Sequence, residues 1–337
     1  MNKKEFGLAE REELSLLLVK NRTFTDIALL LGKDKSSVSR EVRRDGMNRN
    51  NYRAHKAHWH ARQQKKKQGR KRKMEMNAEL KQFVLDKLKL RWSPEQIARE
   101  LKRLYPDNME MRLSHETIYR YVYVLPRGSL KKELLLYLRQ QKLYHRRTGK
   151  NQPRNEEKRG QIPEMISIEE RPKEVEKRTI PGHWEGDLIL GKWKRSALGT
   201  LVERTTRTTI LVPLLNKDAV SVRKAFAQEM KKVPQQMKLS LTYDQGREMS
   251  EHKLFTKNTK IKVYFAHPGS PWERGTNENT NGLIRQFFPK GTEFDKVSRT
   301  EIKQVQDMLN GRPRKSLNWK KPYEVFDELI NKVAIEG

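Results

Sequence analysis

In Gly182-His183-Trp184-Glu185-Gly186-Asp187-Leu188-Ile189-Leu190-Gly191, His183 to Leu190 reads as a strand leading to Gly191, with a carboxylate at Asp187. Two further strand-like runs follow after short connections, Ala197 to Glu203 and Thr208 to Pro213, which predicts an antiparallel meander. Val222, Phe226 and Met230 then recur every fourth residue, the spacing of a helix face. Leu239 to Tyr243 returns to the β pattern and stops at Asp244, and Lys262 to Ala266 is a last short strand. Strands followed by alternating helices and strands predict a mixed α/β sheet covered by helices. Asp187 and Asp244 are expected at or near strand ends, on one edge of that sheet. A third acid, Glu278, lies in Pro271-Trp272-Glu273-Arg274-Gly275-Thr276-Asn277-Glu278-Asn279 and begins a helix whose Leu283, Ile284, Phe287 and Phe288 point inward.

The first half of the chain has a different pattern. Leu14, Leu17 and Leu18 form one apolar helical face, and Thr25 is placed to cap a second helix with Ile27, Leu30 and Leu31 inside. Gly32 permits a left-handed exit, and Asp34 or Ser36 caps a third helix with Val38 and Val42 inward. Ala28, Gly32 and Val38 stand at the spacing of a helix-turn-helix, although Glu41 occupies a position where an apolar residue is expected. Lys35, Ser36, Ser37, Ser39, Arg40, Arg43 and Arg44 are left to face a major groove and its phosphates. A plain helical hairpin with a solvated basic face is the bland alternative.

A second such module begins at Ser93-Pro94-Glu95-Gln96, a capped helix start with proline in the first turn. Ile97, Leu101 and Leu104 share a face; Ser114 then caps His115 to Val122, with Ile118, Tyr121 and Val122 inward. His115, Thr117, Tyr119 and Arg120 are expected to face DNA, against the alternative of an ordinary three-helix core.

Charge supports a polyanionic partner. The 337 residues carry a formal net charge of +31, of which residues 1–180 hold +21 and residues 181–337 hold +10. Eight of the twelve residues from Arg62 to Lys73 are basic, and such a block, which cannot bury apolar area, is expected to be extended or frayed on its own. The stretch from Arg146 to Arg178, with three prolines and no aromatic residue, is expected to be a linker. There is no cysteine, which excludes disulfides, cysteine nucleophiles and thiolate metal sites. No apolar run approaches the ~18 residues of a membrane span, so no membrane partner is expected. The organisation expected is a helix-turn-helix domain at 1–50, a basic connecting segment at 51–77, a second helical DNA-binding domain at 78–145, a linker at 146–178 and a catalytic domain at 179–337.

Asp187 and Asp244 are 57 positions apart, and Glu278 follows Asp244 by 34. Carboxylates at these separations, on a first strand, a fourth strand and a following helix, resemble the ribonuclease-H-like catalytic domain of transposases and retroviral integrases. The strings Gly182-His183-Trp184-Glu185-Gly186-Asp187, Leu241-Thr242-Tyr243-Asp244-Gln245-Gly246 and Asn277-Glu278-Asn279-Thr280-Asn281-Gly282, with an N-terminal helix-turn-helix, resemble bacterial insertion-sequence transposases of the IS30 family over essentially the whole chain. The resemblance implies an α+β multidomain protein: all-α helix-turn-helix modules, then a ribonuclease-H-like mixed α/β domain. It also implies binding of terminal inverted repeats and metal-dependent strand cleavage and transfer. Hard cations prefer carboxylate oxygens and can stabilise both the attacking and the leaving oxygen of phosphoryl transfer. Asp187, Asp244 and Glu278 are therefore the expected catalytic ligands of two Mg²⁺ ions, with Mn²⁺ as an alternative.

Arg285, seven residues after Glu278, is the expected DNA-contacting basic residue on the same face, and His183, Trp272, Arg274, Asn277 and Asn281 are further candidates for DNA contact or positioning. Glu185, Glu248 and Glu273 compete for the acidic roles; Glu278 is preferred to Glu273 for its separation and helical start. Double-stranded DNA, a homodimer or higher homo-oligomer, and a bacterial cytoplasmic, nucleoid-associated location complete the expectations. A non-catalytic DNA-binding regulator and a nuclease without strand transfer are the alternatives.

Overall fold

A computed structural model describes residues 5–67, 73–138 and 162–336. Positions 146–161 of the expected linker, 68–72 of the basic run and 139–145 of the second module lie outside the described residues. The chain divides into two compact units, Met1–Ala78 and Glu79–Gly337.

The first unit contains α1 (Leu8–Val19), α2 (Phe24–Leu31), α3 (Lys35–Val42), α4 (Ala54–Lys67) and the short α5 (Lys73–Met76). Thr23, not Thr25, caps α2: its hydroxyl accepts from the Asp26 amide and the Asp26 carboxylate accepts from the Thr23 amide. A reciprocal box needs an acid three residues on, and only Thr23 has one. Gly32 leaves the helix at φ 61°. Leu14, Leu18, Ile27, Ala28, Val38, Val42, Tyr52 and Ala57 form the core. Leu30 is exposed instead, because it falls to the side of the stripe formed by Ile27, Ala28 and Leu31.

Glu41 is buried where an apolar residue was expected, its Oε1 2.7 Å from Nε of the equally buried Arg11. The basic run also differs from expectation. It is helical through Lys67, because Tyr52, Ala54 and Ala57 give the start of α4 an apolar face that packs on α1.

The second unit opens with α6 (Ala78–Lys89), α7 (Pro94–Leu104), α8 (His115–Val124) and α9 (Ser129–Tyr137). Ser93 and Gln96 form the expected capping box, and Ile97, Leu101, Ile118 and Val122 are fully buried, whereas Leu104 is exposed in the last turn of α7. These helices pack on the C-terminal end of the chain within the same unit: Gln96 Nε2 donates to the Pro313 carbonyl at 2.7 Å and Lys321 pairs with buried Glu100 at 3.0 Å. The described part of the expected linker, 162–178, is also packed. Ile162 enters the core, the Phe265 amide donates to the Ile166 carbonyl, and Arg171 donates to Thr242 Oγ1 at 3.0 Å ahead of the short α10 (Glu174–Lys177).

The sheet then forms from β1 (His183–Leu190), β2 (Ala197–Glu203), β3 (Thr209–Pro213), β4 (Ser240–Tyr243) and β5 (Lys262–Phe265) in the order β3-β2-β1-β4-β5. The first three strands pair antiparallel, while β4 and β5 run parallel to β1. This is the mixed sheet the ribonuclease-H-like expectation requires. One face is covered by α11 (Ala219–Lys231) and α12 (His252–Thr259), with Trp184, Leu201, Val222, Phe226, Met230 and Leu241 buried between. The other face is covered by α13 (Gly275–Ile284) and α14 (Arg299–Asn310), through Ile189, Leu198, Leu211, Leu283, Ile284 and Leu309. Burying each such side chain stabilises the fold by about 1.5–3 kcal/mol before chain entropy is counted. The last helix is α15 (Pro322–Glu336). Among the described residues no helix is long and apolar enough to cross a membrane.

Candidate active site

Strand alternation sends Glu185, Asp187 and Ile189 to the α13 face of β1. Asp187 lies inside the strand, not at its end. Asp244 reaches it because β4 is short: it pairs with β1 only along His183 to Glu185 and ends at Tyr243. The backbone at Gly186 closes this gap, since any Cβ there would stand 2.7 Å from the Tyr243 ring.

The guanidinium of Arg274, from the single turn Pro271–Arg274, sits between the two aspartates. Its two terminal nitrogens are 3.4 Å from Asp187 Oδ1 and 3.2 Å from Asp244 Oδ2, and it also donates to the Gly186 carbonyl at 3.0 Å. Asn281 Nδ2 holds the other Asp187 oxygen at 2.7 Å, and the Gly246 amide donates to Asp244 Oδ1. Burial raises the Asp187 pKa; Arg274 opposes that rise and the neighbouring Asp244 adds to it. Burial works against the charge on Arg274, but Asp187 and Asp244 outweigh it and hold the guanidinium protonated. Two carboxylates therefore share one internal cation.

The other acids take distinct places. Glu185 is fully buried, accepts from the Asn277 amide at 2.8 Å and pairs with Arg204 at 3.3 Å, so it anchors α13 to the sheet. Glu248, in the turn after Asp244, has its pKa raised by burial and by Asp244 and Asp187. Glu273 is held by the His267 amide and ring at 2.8 Å each. Glu278 is in the first turn of α13, exposed, and makes no ion pair among the described residues. Its helix neighbours Asn277 and Asn281 are the residues that face Glu185 and Asp187. Among the described residues no three His, Asp or Glu side chains gather closely enough to hold an ion. The structure thus brings Asp187 and Asp244 together and leaves Glu278 outside the pair.

Arg285 donates to the carbonyls of Leu190, Phe288 and Pro289, tying the end of β1 to the end of α13. On the first unit Lys35, Ser36, Arg40 and Arg43 are exposed, while Ser37, Ser39 and Arg44 are partly buried. Arg40 folds back onto Ser36, and Arg44 pairs with Glu41 at 3.0 Å. On α8 His115, Thr117, Tyr119 and Arg120 are exposed, with the Thr117 hydroxyl engaged by the Ser114 cap. Arg274 is among the residues the sequence offers for contact or positioning, but its place between the two aspartates was not foreseen. Its one signal was a basic residue four positions before Glu278, in a string otherwise read for its acid.

Residues 178–271 match the integrase core domain family, and residues 4–45 match a helix-turn-helix domain family. The chain is 41% identical over 323 residues to the transposase for insertion sequence element IS1086 of Cupriavidus metallidurans, covering 95% of this chain and 94% of that protein. It is 41% identical over 322 residues to transposase InsI for insertion sequence element IS30A of Escherichia coli strain K12, covering 95% and 82%. To the transposase for IS4351 of Bacteroides fragilis it is 36% identical over 330 residues, covering 97% and 96%.

Proposed function

This chain belongs to the IS30 family of insertion-sequence transposases, and from that premise we propose how its residues divide the work of DNA strand cleavage and transfer. It is a DNA transposase of the DDE type, with a helix-turn-helix DNA-binding domain ahead of an integrase core. Membership of the integrase core family implies dependence on a divalent cation.

The reading of the site rests on one observation, the convergence of Asp187 and Asp244 on a single positive charge. Both are hard oxygen donors, and one is held by Asn281 in a partly desolvated place where a carboxylate needs a cation beside it. That donor set fits Mg²⁺, with Mn²⁺ as a substitute, and we assign Asp187, Asp244 and Glu278 as its ligands, for two ions. When bound, the ions stabilise charge on the attacking and leaving oxygens of the phosphodiester. Arg274 keeps the two aspartates in register, and Asn281 fixes the outer oxygen of Asp187. Glu278, exposed on α13, supplies the third carboxylate from the side on which DNA approaches. Lys35, Ser36, Ser37, Ser39, Arg40 and Arg43 present α3 to the terminal repeats, with His115, Thr117 and Arg120 as a second contact. Arg44 and Arg285 serve mainly to brace their helices. Pairing two element ends calls for at least two copies of the chain, working on the bacterial nucleoid.

The test is incubation of the full chain with DNA carrying its terminal repeats and flanks, with Mg²⁺, followed by a denaturing gel. Nicked and joined strands are expected, lost in chelator. Repeat binding without strand products would leave a regulator, cleavage without joining a nuclease, and full cleavage in excess chelator would remove the metal reading.

A further inference from the structure

Asn277 and Asn281 turn one side of α13 toward Glu185 and Asp187. Another side of the same helix, through Thr276, Asn279 and Thr280, lines a cavity of about 350 Å³ that Arg178, Arg207 and Arg314 complete. No acidic side chain is among the described residues lining it. Arg207 donates to Thr276 Oγ1 at 2.7 Å, and neither Arg178 nor Arg207 forms an ion pair with an acid among the described residues. The nearby acids are already engaged: Glu185 by Arg204 and the Asn277 amide, and Glu203 by the amides of Gly182, Thr205 and Thr206. Burial and then the charge of Arg178 push the Arg207 pKa down. Arg178 and Arg207 both stand at left-handed φ, 54° and 62°, Arg178 as the C-cap of α10 and Arg207 in the turn between β2 and β3. Two guanidinium groups thus repel each other at one cavity whose described lining holds no acid.

We propose that this arginine pocket grips a backbone phosphate of the DNA strand being processed, a role that rests on reading the chain as a transposase. Guanidinium forks match phosphate oxygens in pairs, and the Thr276 hydroxyl, which accepts from Arg207, keeps its own proton to donate. Glu278 and Asn279 are consecutive, so the exposed acid and the pocket lie on adjacent sides of one helical turn. A strand crossing the outside of α13 meets Glu278 and the pocket in succession. Gripping one phosphate here sets which phosphodiester reaches the carboxylates.

The experiment uses the full-length protein and DNA carrying a terminal repeat with its flank. Binding is measured over a salt series for wild type, Arg178→Gln, Arg207→Gln, the double variant and Arg207→Lys, with melting curves as a folding check. Loss of one phosphate contact should weaken binding roughly tenfold at low salt and make the log–log salt slope shallower by roughly 0.9. Arg207→Lys should keep the slope, because the charge remains, while losing part of the affinity with the fork. If Arg207→Gln melts early, the exposed Arg178 carries the slope test on its own. A separate arm uses inorganic phosphate, which should raise the melting temperature of wild type more than that of the double variant. Phosphate stabilisation with an unchanged DNA slope would mark a free-anion site and overturn the proposal, as would unchanged slope and affinity in both glutamine variants. Absence of strand products from wild type would count against the transposase chemistry alone, since the slope is read without turnover.

Discussion

The buried Arg11–Glu41 pair makes a quantitative claim about the DNA-reading unit. The side chains are 5% and 2% exposed and 2.7 Å apart. At an effective dielectric of 20 their attraction is about 6 kcal/mol, and removing two ions from water costs several kcal/mol for each, so the intact pair is close to break-even. Removing one partner is different, because the other stays buried and uncompensated at a cost of about 3–5 kcal/mol. The two single variants are not equivalent. Glu41 has a second partner in Arg44 at 3.0 Å, whereas Arg11 makes no second ion pair among the described residues and is left with neutral neighbours, the Phe6 carbonyl, the Tyr52 side chain and a 3.2 Å contact with His58. Glu41→Leu should therefore be the most damaging change, Arg11→Met milder, and the double variant close to wild type. Hydrogen exchange of peptides from α1 to α3 in the full chain reads this without interference from the second unit. A loss of 3–5 kcal/mol corresponds to exchange about 150- to 5,000-fold faster. Repeat binding should weaken in parallel, since α3 loses its seat. A double variant less stable than either single, or a neutral Glu41→Leu, would refute the reasoning.

Three other outcomes are expected. Glu278→Gln should abolish cleavage and joining on a denaturing gel while leaving repeat binding within about twofold in a mobility shift, since phosphate contacts and not the carboxylate position the DNA; Glu273→Gln, whose carboxylate is occupied by His267, should be mild, and the reverse pattern would move the third acid to Glu273. His183 is buried, bonded to Ser240, and its pKa is lowered to about 4 by burial and then by Arg204 and Arg171. The unfolded chain takes up that proton first, near pH 6.5, so stability should fall as pH drops from about 6.5 toward 4, by about 2 kcal/mol between pH 7 and pH 5. Denaturant midpoints of wild type and His183→Gln at the two pH values check this: the variant should lose that part of the slope. A Cβ at Gly199 would stand 2.4 Å from the Phe226 ring, so Gly199→Ala should cost about 1–3 kcal/mol in a melting or denaturant experiment, and a neutral result would mean that α11 can slide on the sheet.

The strands were legible because each is a short apolar run bounded by turn residues, and β1 and β2 begin and end where that pattern does. The mid-strand position of Asp187 relative to Asp244 was not, because it depends on the parallel register of β1 and β4 and on how early β4 stops. Charge density misled at α4, where three small or aromatic residues outweighed a run of lysines. The residues that violated the pattern were the informative ones. Glu41 broke the helix-turn-helix apolar face and is met by Arg11; Glu185 and Asp187 put acids into an otherwise apolar strand and are met by Arg204 and Arg274. In each case the arginine comes from another element, the end of the neighbouring strand β2 for Arg204 and more distant segments for Arg11 and Arg274, since an acid at a core position persists only if the fold brings a cation to it. Local periodicity can flag such an acid but cannot name its partner. At Glu41 and Glu185 the pair holds one helix in place. At Asp187 a second carboxylate shares the same cation, and like charges held this close are costly unless a positive charge stays between them. That cost is what separates a site built for a cation from an anchor.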